Sequence, residues 1–392
     1  MIDIRMNPPN TASSSPRTWG RSDVTAAAAL IVWSVLMLWL CAQQGVQHDY
    51  RSYLGQWRLL LDGANPWSTD NNYGPLHTVV GFLLPFGQLA PKFLLVGALL
   101  IANAALVFSL LRERGVGPIL IIYLLAVPTN VLVVGVGIIY GLNDALVASL
   151  LVAAVLFRLR GNFLATGTLI GLAALVKYYP LLLLPFFALN GNRLHWSVIA
   201  SGLAVFCVGM AAASAIWGEE VFNGILHGVT RKTKLLSFLG PLQEIVGDVK
   251  IVRWLKEYNA YLVICGVGVA FLCTWRAGRS WLEAAVLGYL VMLTLYKVGN
   301  QQFYLPWLLM VSALPLVNKQ SADRMGIIFL AAVVLLSLYQ FGYEFASSGY
   351  DNSSWVRTYG GLIAFAVSVS SIAACVIDYW RARPRGRGRI SR

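Results

Sequence analysis

The polar residues best suited to chemistry follow the first apolar stretch of the chain, and they begin with His48, Asp49 and Arg51. A carboxylate at the membrane surface, directly after a transmembrane helix, has the right position and chemistry for a general base. Asp49 has a second interpretation as the N-cap of the helix that follows it. The two roles are compatible, because capping would orient the carboxylate and keep it ionised.

The residues after Asp49 predict an amphipathic helix that ends near Gly63. Its apolar residues recur at i, i+1, i+4, i+7 and i+8: Tyr53, Leu54, Trp57, Leu60 and Leu61. We expect this helix to lie flat on the outer membrane interface. Asp62 and Asp70 have the character of solvated turn residues.

Two lysines interrupt long apolar blocks of the sequence. Lys177 interrupts residues 163–189, and Lys297 interrupts residues 281–317. Irregular backbone at membrane depth must line a cavity, so both blocks are interpreted as helical hairpins with broken tips that reach the outer side. An ammonium in such a place usually has a function. The alternative is that each lysine snorkels to the membrane surface.

The composition excludes a soluble globular protein. Of 392 residues, 58% are hydrophobic and only 12% are charged, and the mean hydropathy is +0.66. These values predict an all-α polytopic membrane protein with about 12 transmembrane helices, two broken hairpins among them. Apart from the two blocks above, the predicted spans are 24–42, 92–111, 118–135, 144–157, 194–216, 259–275, 325–342 and 359–379.

The charge distribution predicts the orientation. Residues 1–23 are expected to be a disordered cytoplasmic segment, residues 24–380 one membrane domain, and residues 381–392 a basic cytoplasmic tail. The outer loops are then 43–78 and 217–257. Much of the net charge of +13 belongs to the tail, which argues against nucleic-acid binding. The five cysteines lie in apolar segments, so neither a metal site nor a cofactor is predicted.

Asn143 and Asp144 begin a predicted span at its outer end. Capping of the helix is the favoured interpretation of this pair, ahead of a role in ligand binding.

Three segments together resemble a known superfamily. They are DGANPWSTDNNYGPLHT at 62–78, GLAALVKYYPLLLLP at 171–185 and YKVGNQQFYLPWLL at 296–309. With an acidic residue just after the first span, they resemble the GT-C membrane glycosyltransferases. The chain is most similar to polyprenyl-phosphate-mannose-dependent mannosyltransferases of the phosphatidylinositol mannoside type. The last segment also resembles GPI mannosyltransferases.

The resemblance implies a GT-C fold and an inverting transfer of a sugar, with mannose as the family-based expectation. It implies a polyprenyl-phosphate sugar donor, a glycolipid or polysaccharide acceptor, membrane lipids as surroundings, and an active site on the outer face of a bacterial plasma membrane. Asp49 matches the catalytic acid, whereas a second acid of a DxD pair is absent. The donor phosphate would be bound by Lys177, Lys297 and Arg231, with Lys232 and Lys234 nearby. The expected substrate-binding residues are His48, Arg51, Asn65, Tyr73, His77, Gln301 and Gln302.

Two other functions fit the sequence. A secondary transporter also combines many spans with broken helices near a binding site. A glycan polymerase or ligase that uses polyprenyl-pyrophosphate donors would share a cationic outer cavity.

Overall fold

The computed structural model describes residues 20–69, 71–114, 130–191, 193–225, 236–317, 331, 333–339 and 353–381. These residues are mainly helical, which agrees with the predicted all-α fold. In the described ranges, the only strands are β1 (Leu189–Asn190) and β2 (Arg193–Leu194), which pair in an antiparallel ribbon.

The α-helices follow one another with short 3-10 segments between several of them. Their bounds are α1 Arg21–Gln44, α2 His48–Leu61, α3 Pro75–Val79, α4 Ala90–Arg114, α5 Asp144–Leu159, α6 Phe163–Val176, α7 Leu184–Ala188, α8 Trp196–Trp217, α9 Leu239–Val246, α10 Lys250–Glu257, α11 Asn259–Arg276, α12 Trp281–Leu295, α13 Tyr304–Ser312 and α14 Ser353–Arg381. The 3-10 helices are Val80–Phe86, Tyr179–Leu183, Glu219–Phe222, Gln301–Phe303 and Leu314–Leu316.

Four of the described helices, α1, α4, α8 and α11, are long and apolar enough to cross a membrane. A fifth crossing results if a π-helix at Leu132–Ile139 and α5 count as one bent span, with an angle of 114° between them. The count of twelve spans stays a prediction. The predicted span 325–342 lies largely outside the described residues, and 118–135 does so in its first two thirds.

Lys92, on α4, joins the ends of two other helices. Its Nζ donates to the carbonyl of Gly45, after α1, at 2.7 Å and to the carbonyl of Ile139, at the end of the π-helix, at 2.6 Å. A cation is favourable beside helix carboxyl ends, where carbonyls lack partners. Gly141 makes room for the lysine stem, since a Cβ there would lie 2.5 Å from Lys92 Cγ.

The two predicted breaks are confirmed. Helix α6 ends at Val176, and Lys177 has extended backbone before the next 3-10 helix begins. Helix α12 ends at Leu295, and Gln301 starts a short 3-10 helix that leads into α13. Both lysines therefore lie in non-helical backbone between apolar helices.

Close packing of α6 against α8 fixes the position of the first break. A Cβ on Gly167 would lie 2.1 Å from the carbonyl oxygen of Val198, and one on Gly171 would lie 2.5 Å from that of Gly202. Small residues at such contacts let the backbones of two membrane helices approach closely. The end of α6, which carries Lys177, is thereby held against α8.

Helix α2 forms as predicted, but its apolar face packs against protein. Tyr53, Leu54, Trp57 and Leu60 are buried within the protein, and of the predicted apolar face only Leu61 is exposed. Aromatic side chains bury a large area and pack edge to face, and this face of α2 covers the segment around α3. Protein, not lipid, therefore occupies the apolar face of α2.

Candidate active site

Asp49 lies in the first turn of α2, with its side chain exposed. The helix begins at His48 and its N-cap residue is Gln47, so the interpretation of Asp49 as the N-cap is wrong. A carboxylate in the first turn is still favoured by the helix dipole. Arg51 is also exposed, and the side chain of His48 lies outside the described residues.

The buried face of α2 is hydrogen-bonded to the start of α5. The Tyr53 hydroxyl donates to Asn143 Oδ1 at 3.2 Å. Burial is the main cause that raises the pKa of Tyr53 well above its usual value, so the hydroxyl keeps the proton that it donates. Asp49 is one helical turn before Tyr53, and the helix that carries Asp49 is thereby fixed relative to α5.

His77 completes this contact between α2 and α5. Its ring lies 4.6 Å from the Tyr53 ring, and Asn143 Nδ2 lies 3.4 Å from His77 Nδ1. Since the amide nitrogen can only donate, Nδ1 is the acceptor and the ring proton is assigned to Nε2. Burial, and secondly the charge of Lys177, lower the pKa of His77 to about 3. The imidazole is therefore neutral at physiological pH.

The most strongly charged contact in this region joins α5 to the end of α6. Lys177 Nζ lies 2.5 Å from Asp144 Oδ2, and both side chains are buried. The Tyr179 hydroxyl donates to the other carboxylate oxygen at 3.4 Å. The ammonium also lies 4.7 Å from the centroid of the Phe303 ring and 5.6 Å from that of Tyr73, within cation–π range.

The capping interpretation of Asn143 and Asp144 is therefore wrong. Asn143 occupies the N-cap position of α5, but its side chain makes no capping hydrogen bond. It contacts Tyr53 and His77 instead, and Asp144 is the counter-ion of Lys177. One signal in the sequence points to this pair. An ionisable residue at the start of an apolar span needs a partner, and Lys177 has the opposite charge.

Gly74 brings the loop between α2 and α3 onto the end of α6. Its N–H donates to the carbonyl of Val176 at 3.0 Å, and a Cβ at this position would lie 2.2 Å from the carbonyl oxygen of Leu175. Only glycine allows this approach of two backbones. The contact places Tyr73 and His77, on either side of Gly74, next to the Lys177 break.

Asn65 and Tyr73 hold the rest of this loop in place. Asn65 Nδ2 donates to the carbonyl of Trp217 at 2.9 Å and to the Glu220 carboxylate. The Tyr73 carbonyl accepts from Trp67 Nε1 at 3.2 Å and from the Tyr178 hydroxyl at 3.3 Å. Both residues thus link the loop to α8 and to the first break.

Lys297 has different partners from Lys177. Its Nζ donates to the carbonyl of Lys256, in the last turn of α10, at 3.2 Å. Its backbone N–H donates to Asn259 Oδ1 at 2.9 Å. On the same non-helical segment, Gln302 is buried and Gln301 is half-buried.

The remaining predicted positions are less informative. Arg231, Lys232, Lys234 and Asp70 lie outside the described residues. In the described ranges, no three His, Cys, Asp or Glu side chains form a group that would hold a metal ion.

The two lysine breaks meet at Phe303. The Lys177 ammonium faces the Phe303 ring, and the ring of Tyr296, next to Lys297, lies 6.0 Å from the same ring. The structure thus connects the Asp144–Lys177 pair to the segment of Lys297 through Phe303, and to α2, which carries Asp49, through Asn143 and Tyr53. Such a set can position an anionic group and accept a proton.

Comparison with known proteins supports an enzyme. A model of glycosyltransferase family 87 matches residues 71–298, which is more than half of the chain. The match includes Asp144, Lys177 and Lys297 and begins after Asp49. No curated protein matches the chain with significant similarity. Four of the described helices are long and apolar enough to cross a membrane. The chain therefore belongs to glycosyltransferase family 87 and is a membrane glycosyltransferase of the GT-C type.

Proposed function

We propose that the protein is an inverting transferase that moves mannose from a polyprenyl-phosphate donor to a lipid-linked or envelope glycan on the outer face of the membrane. The position of Asp49 carries this proposal. It is an exposed carboxylate on a helix that is fixed through Tyr53 and Asn143 to the helix bearing the Asp144–Lys177 pair. An exposed acid on a helix that is joined to the helix of the buried ion pair suits transfer from an anionic lipid donor.

The proposed reaction is a direct displacement at the anomeric carbon. The acceptor hydroxyl attacks the carbon, and Asp49 accepts the hydroxyl proton as the new bond forms. The carbon–oxygen bond to the phosphate breaks at the same time, so the configuration inverts. The lipid phosphate departs as a stable anion and needs no proton, and one carboxylate is therefore sufficient.

The proposed phosphate ligands lie at the two breaks and in the segment of the chain that follows α8. The Lys177 ammonium contacts the Asp144 carboxylate, and the Lys297 ammonium donates to the Lys256 carbonyl. Lys177, Lys297 and Arg231 are proposed to bind the donor phosphate. Gln301 and Gln302, beside Lys297, are proposed to bind sugar hydroxyls, as are His48, Arg51, Asn65, Tyr73 and His77.

Transfer by the purified protein tests the donor. The protein would be placed in lipid nanodiscs with an extracted glycolipid acceptor and one of three mannosyl donors: a polyprenyl phosphate, a polyprenyl pyrophosphate or a nucleotide sugar. Mass spectrometry would detect the product, and NMR its anomeric configuration. We expect transfer only from the polyprenyl phosphate, with inversion. Transfer only from the pyrophosphate would replace the proposal by a polymerase or ligase function.

Labelling of a single introduced cysteine tests the proposed orientation. Ser68 is exposed in the first outer loop. We expect Ser68→Cys to react with a membrane-impermeant reagent added outside intact cells and Ser391→Cys to be protected. The unmodified protein is the control for reaction of native cysteines. The reverse pattern would place the loop in the cytoplasm.

A further inference from the structure

Helix α10 presents an apolar face that is exposed in the described structure. Ile251 is 57% exposed, Trp254 54% and Tyr258, directly after the helix, 42%. Their spacing of three and four residues puts them on one side of the helix. Val252, on the opposite side, is fully buried against the protein. The helix is thus anchored on one side and leaves large apolar side chains uncovered on the other.

This apolar face continues into the surface of a span. The ring of Trp254 lies 5.2 Å from that of Tyr258, which lies 6.2 Å from that of Tyr261 on α11. Further along α11, the exposed apolar residues include Ile264 and Leu272. Exposed tryptophan and tyrosine are typical of the boundary between headgroups and acyl chains. The aromatic row therefore marks where the surface of α11 leaves the hydrocarbon.

The charges on α10 indicate the chemistry of the partner. Lys250 and Arg253 are exposed, and the exposed Glu257 lies on the same side of the helix. Asp248 is paired with Lys256 at 3.0 Å, so Lys250 and Arg253 together exceed the remaining acid by one positive charge. Basic residues beside an exposed apolar face bind anionic membrane surfaces.

We propose that α10 is an interfacial helix that docks on anionic phospholipid headgroups of the bilayer. Ile251, Trp254 and Tyr258 insert at the acyl boundary, and Lys250 and Arg253 contact lipid phosphates. The continuity of this face with α11, whose length and composition suit a membrane span, argues for lipid as its occupant.

The docked helix also sets the depth of Lys297. The Lys256 carbonyl, in the last turn of α10, accepts a hydrogen bond from the Lys297 ammonium. Asn259, at the start of α11, accepts one from the Lys297 backbone N–H. The seating of α10 on the membrane thereby fixes the height of Lys297 relative to the headgroups. This last step rests on the proposed role of Lys297 in donor binding, whereas the docking itself does not.

Photo-crosslinking in nanodiscs tests the docking without an activity assay. The full-length protein would carry a benzophenone amino acid at position 251 or 254, in phosphatidylcholine alone or mixed with an equal amount of phosphatidylglycerol. Mass spectrometry would identify the adducts. We expect lipid adducts at both positions, enriched in phosphatidylglycerol. An absence of lipid adducts in the nanodiscs would overturn the proposal. The same crosslinking in native membranes would also overturn it if position 251 or 254 formed adducts with another protein.

Charge variants test the headgroup contact. Lys250→Gln and Arg253→Gln should each reduce the preference for phosphatidylglycerol by about fivefold, the effect of one basic residue at a membrane surface. Lys256→Gln is the matched control, because its ammonium is paired with Asp248. An unchanged preference in the Lys250→Gln/Arg253→Gln protein would show that the lipid contact is apolar only and refute the headgroup site. Failure of the donor assay with normal adducts would refute the transfer reaction alone.

Discussion

The Lys177 ammonium and the Asp144 carboxylate form a buried contact of 2.5 Å between the end of α6 and the start of α5. Each side chain is the counter-ion of the other, in a place where water is scarce. Removal of one partner leaves a buried charge without compensation, and this costs more than the loss of both. The pair therefore connects the non-helical segment at Lys177 to α5, the helix to which α2 is hydrogen-bonded.

We expect Asp144→Asn and Lys177→Met each to lower the free energy of unfolding by about 3–5 kcal/mol. The double variant should be more stable than either single variant. Thermal unfolding in detergent, followed by intrinsic fluorescence, measures the effect. Asp248→Asn is the control, because its pair with Lys256 is exposed and such pairs contribute about 1 kcal/mol or less. If the two single variants lose no more free energy of unfolding than this control does, the buried pair contributes little to stability.

Asp49→Asn should abolish transfer while the protein still folds and binds donor. The expected loss of turnover is roughly 10²–10⁴-fold, because a correctly placed general base contributes that much. Asp62→Asn is the matched control: it is an exposed aspartate at the other end of α2 and should keep most activity. Turnover of Asp49→Asn within tenfold of the unmodified enzyme would exclude Asp49 as the base.

Lys297→Met should weaken donor binding by about 2 kcal/mol, the scale for the loss of a charge-assisted hydrogen bond. Titration of the purified protein with a polyprenyl phosphate measures the affinity. Lys256→Met removes a nearby positive charge but retains the backbone carbonyl that accepts Lys297. If Lys297→Met binds the donor as tightly as the control Lys256→Met does, Lys297 does not contact the phosphate.

Gly74→Ala should destabilise the outer loop by about 1–3 kcal/mol, since the added methyl group would overlap the Leu175 carbonyl. Limited proteolysis and thermal unfolding would both show the loss. Gly55→Ala is the control at an exposed position of α2, where a Cβ meets nothing within 4 Å. There, alanine should stabilise the helix by about 0.5–1 kcal/mol. Equal effects at the two positions would argue against the close backbone approach at Gly74.

The stability of the protein should fall in acid because His77 is held neutral. The pKa of His77 in the folded protein is about 3, below the value of about 6.5 in an unfolded chain. Between these values the unfolded state binds the extra proton, so stability falls as the pH is lowered, by up to about 1.4 kcal/mol per pH unit.

Thermal unfolding of the His77→Gln variant between pH 4 and pH 8 tests this linkage. The stability of the variant should lack the decrease at low pH that His77 causes in the unmodified protein. Above about pH 7 the two curves should run parallel, because the histidine is then neutral in both states. Parallel curves over the whole range would show that His77 does not titrate as its burial requires.

Local patterns predicted several elements correctly. The apolar periodicity after Asp49 predicted α2, and Lys177 and Lys297 predicted the breaks in two apolar blocks. The periodicity did not show what covers the apolar face of α2, because a helix packs the same stripe against lipid or protein. The π-helix at Leu132–Ile139 has no counterpart in the sequence pattern, since a uniformly apolar run fits a π-helix and an α-helix equally well.

The main error in the predicted site concerns contacts between distant residues. Asp144 and Lys177 are 33 positions apart, and Tyr53 and Asn143 are 90 positions apart. A local interpretation assigned Asn143 and Asp144 to helix capping, the commonest role of such residues before a helix. The rule that a buried charge needs a counter-ion was applicable to Asp144 and would have paired it with Lys177.

The two carbonyls bound by Lys92 have a consequence for the order of assembly. Helix α1 precedes α4 in the chain and is synthesised before it, and only a small share of its most apolar segment is buried in the protein. Its carboxyl end is completed by an ammonium on α4, which is shared with a π-helix synthesised later still. Helix α1 is therefore synthesised before the lysine that completes its carboxyl end, which lies 47 positions after Gly45, and the three-way contact can form only after the π-helix has followed.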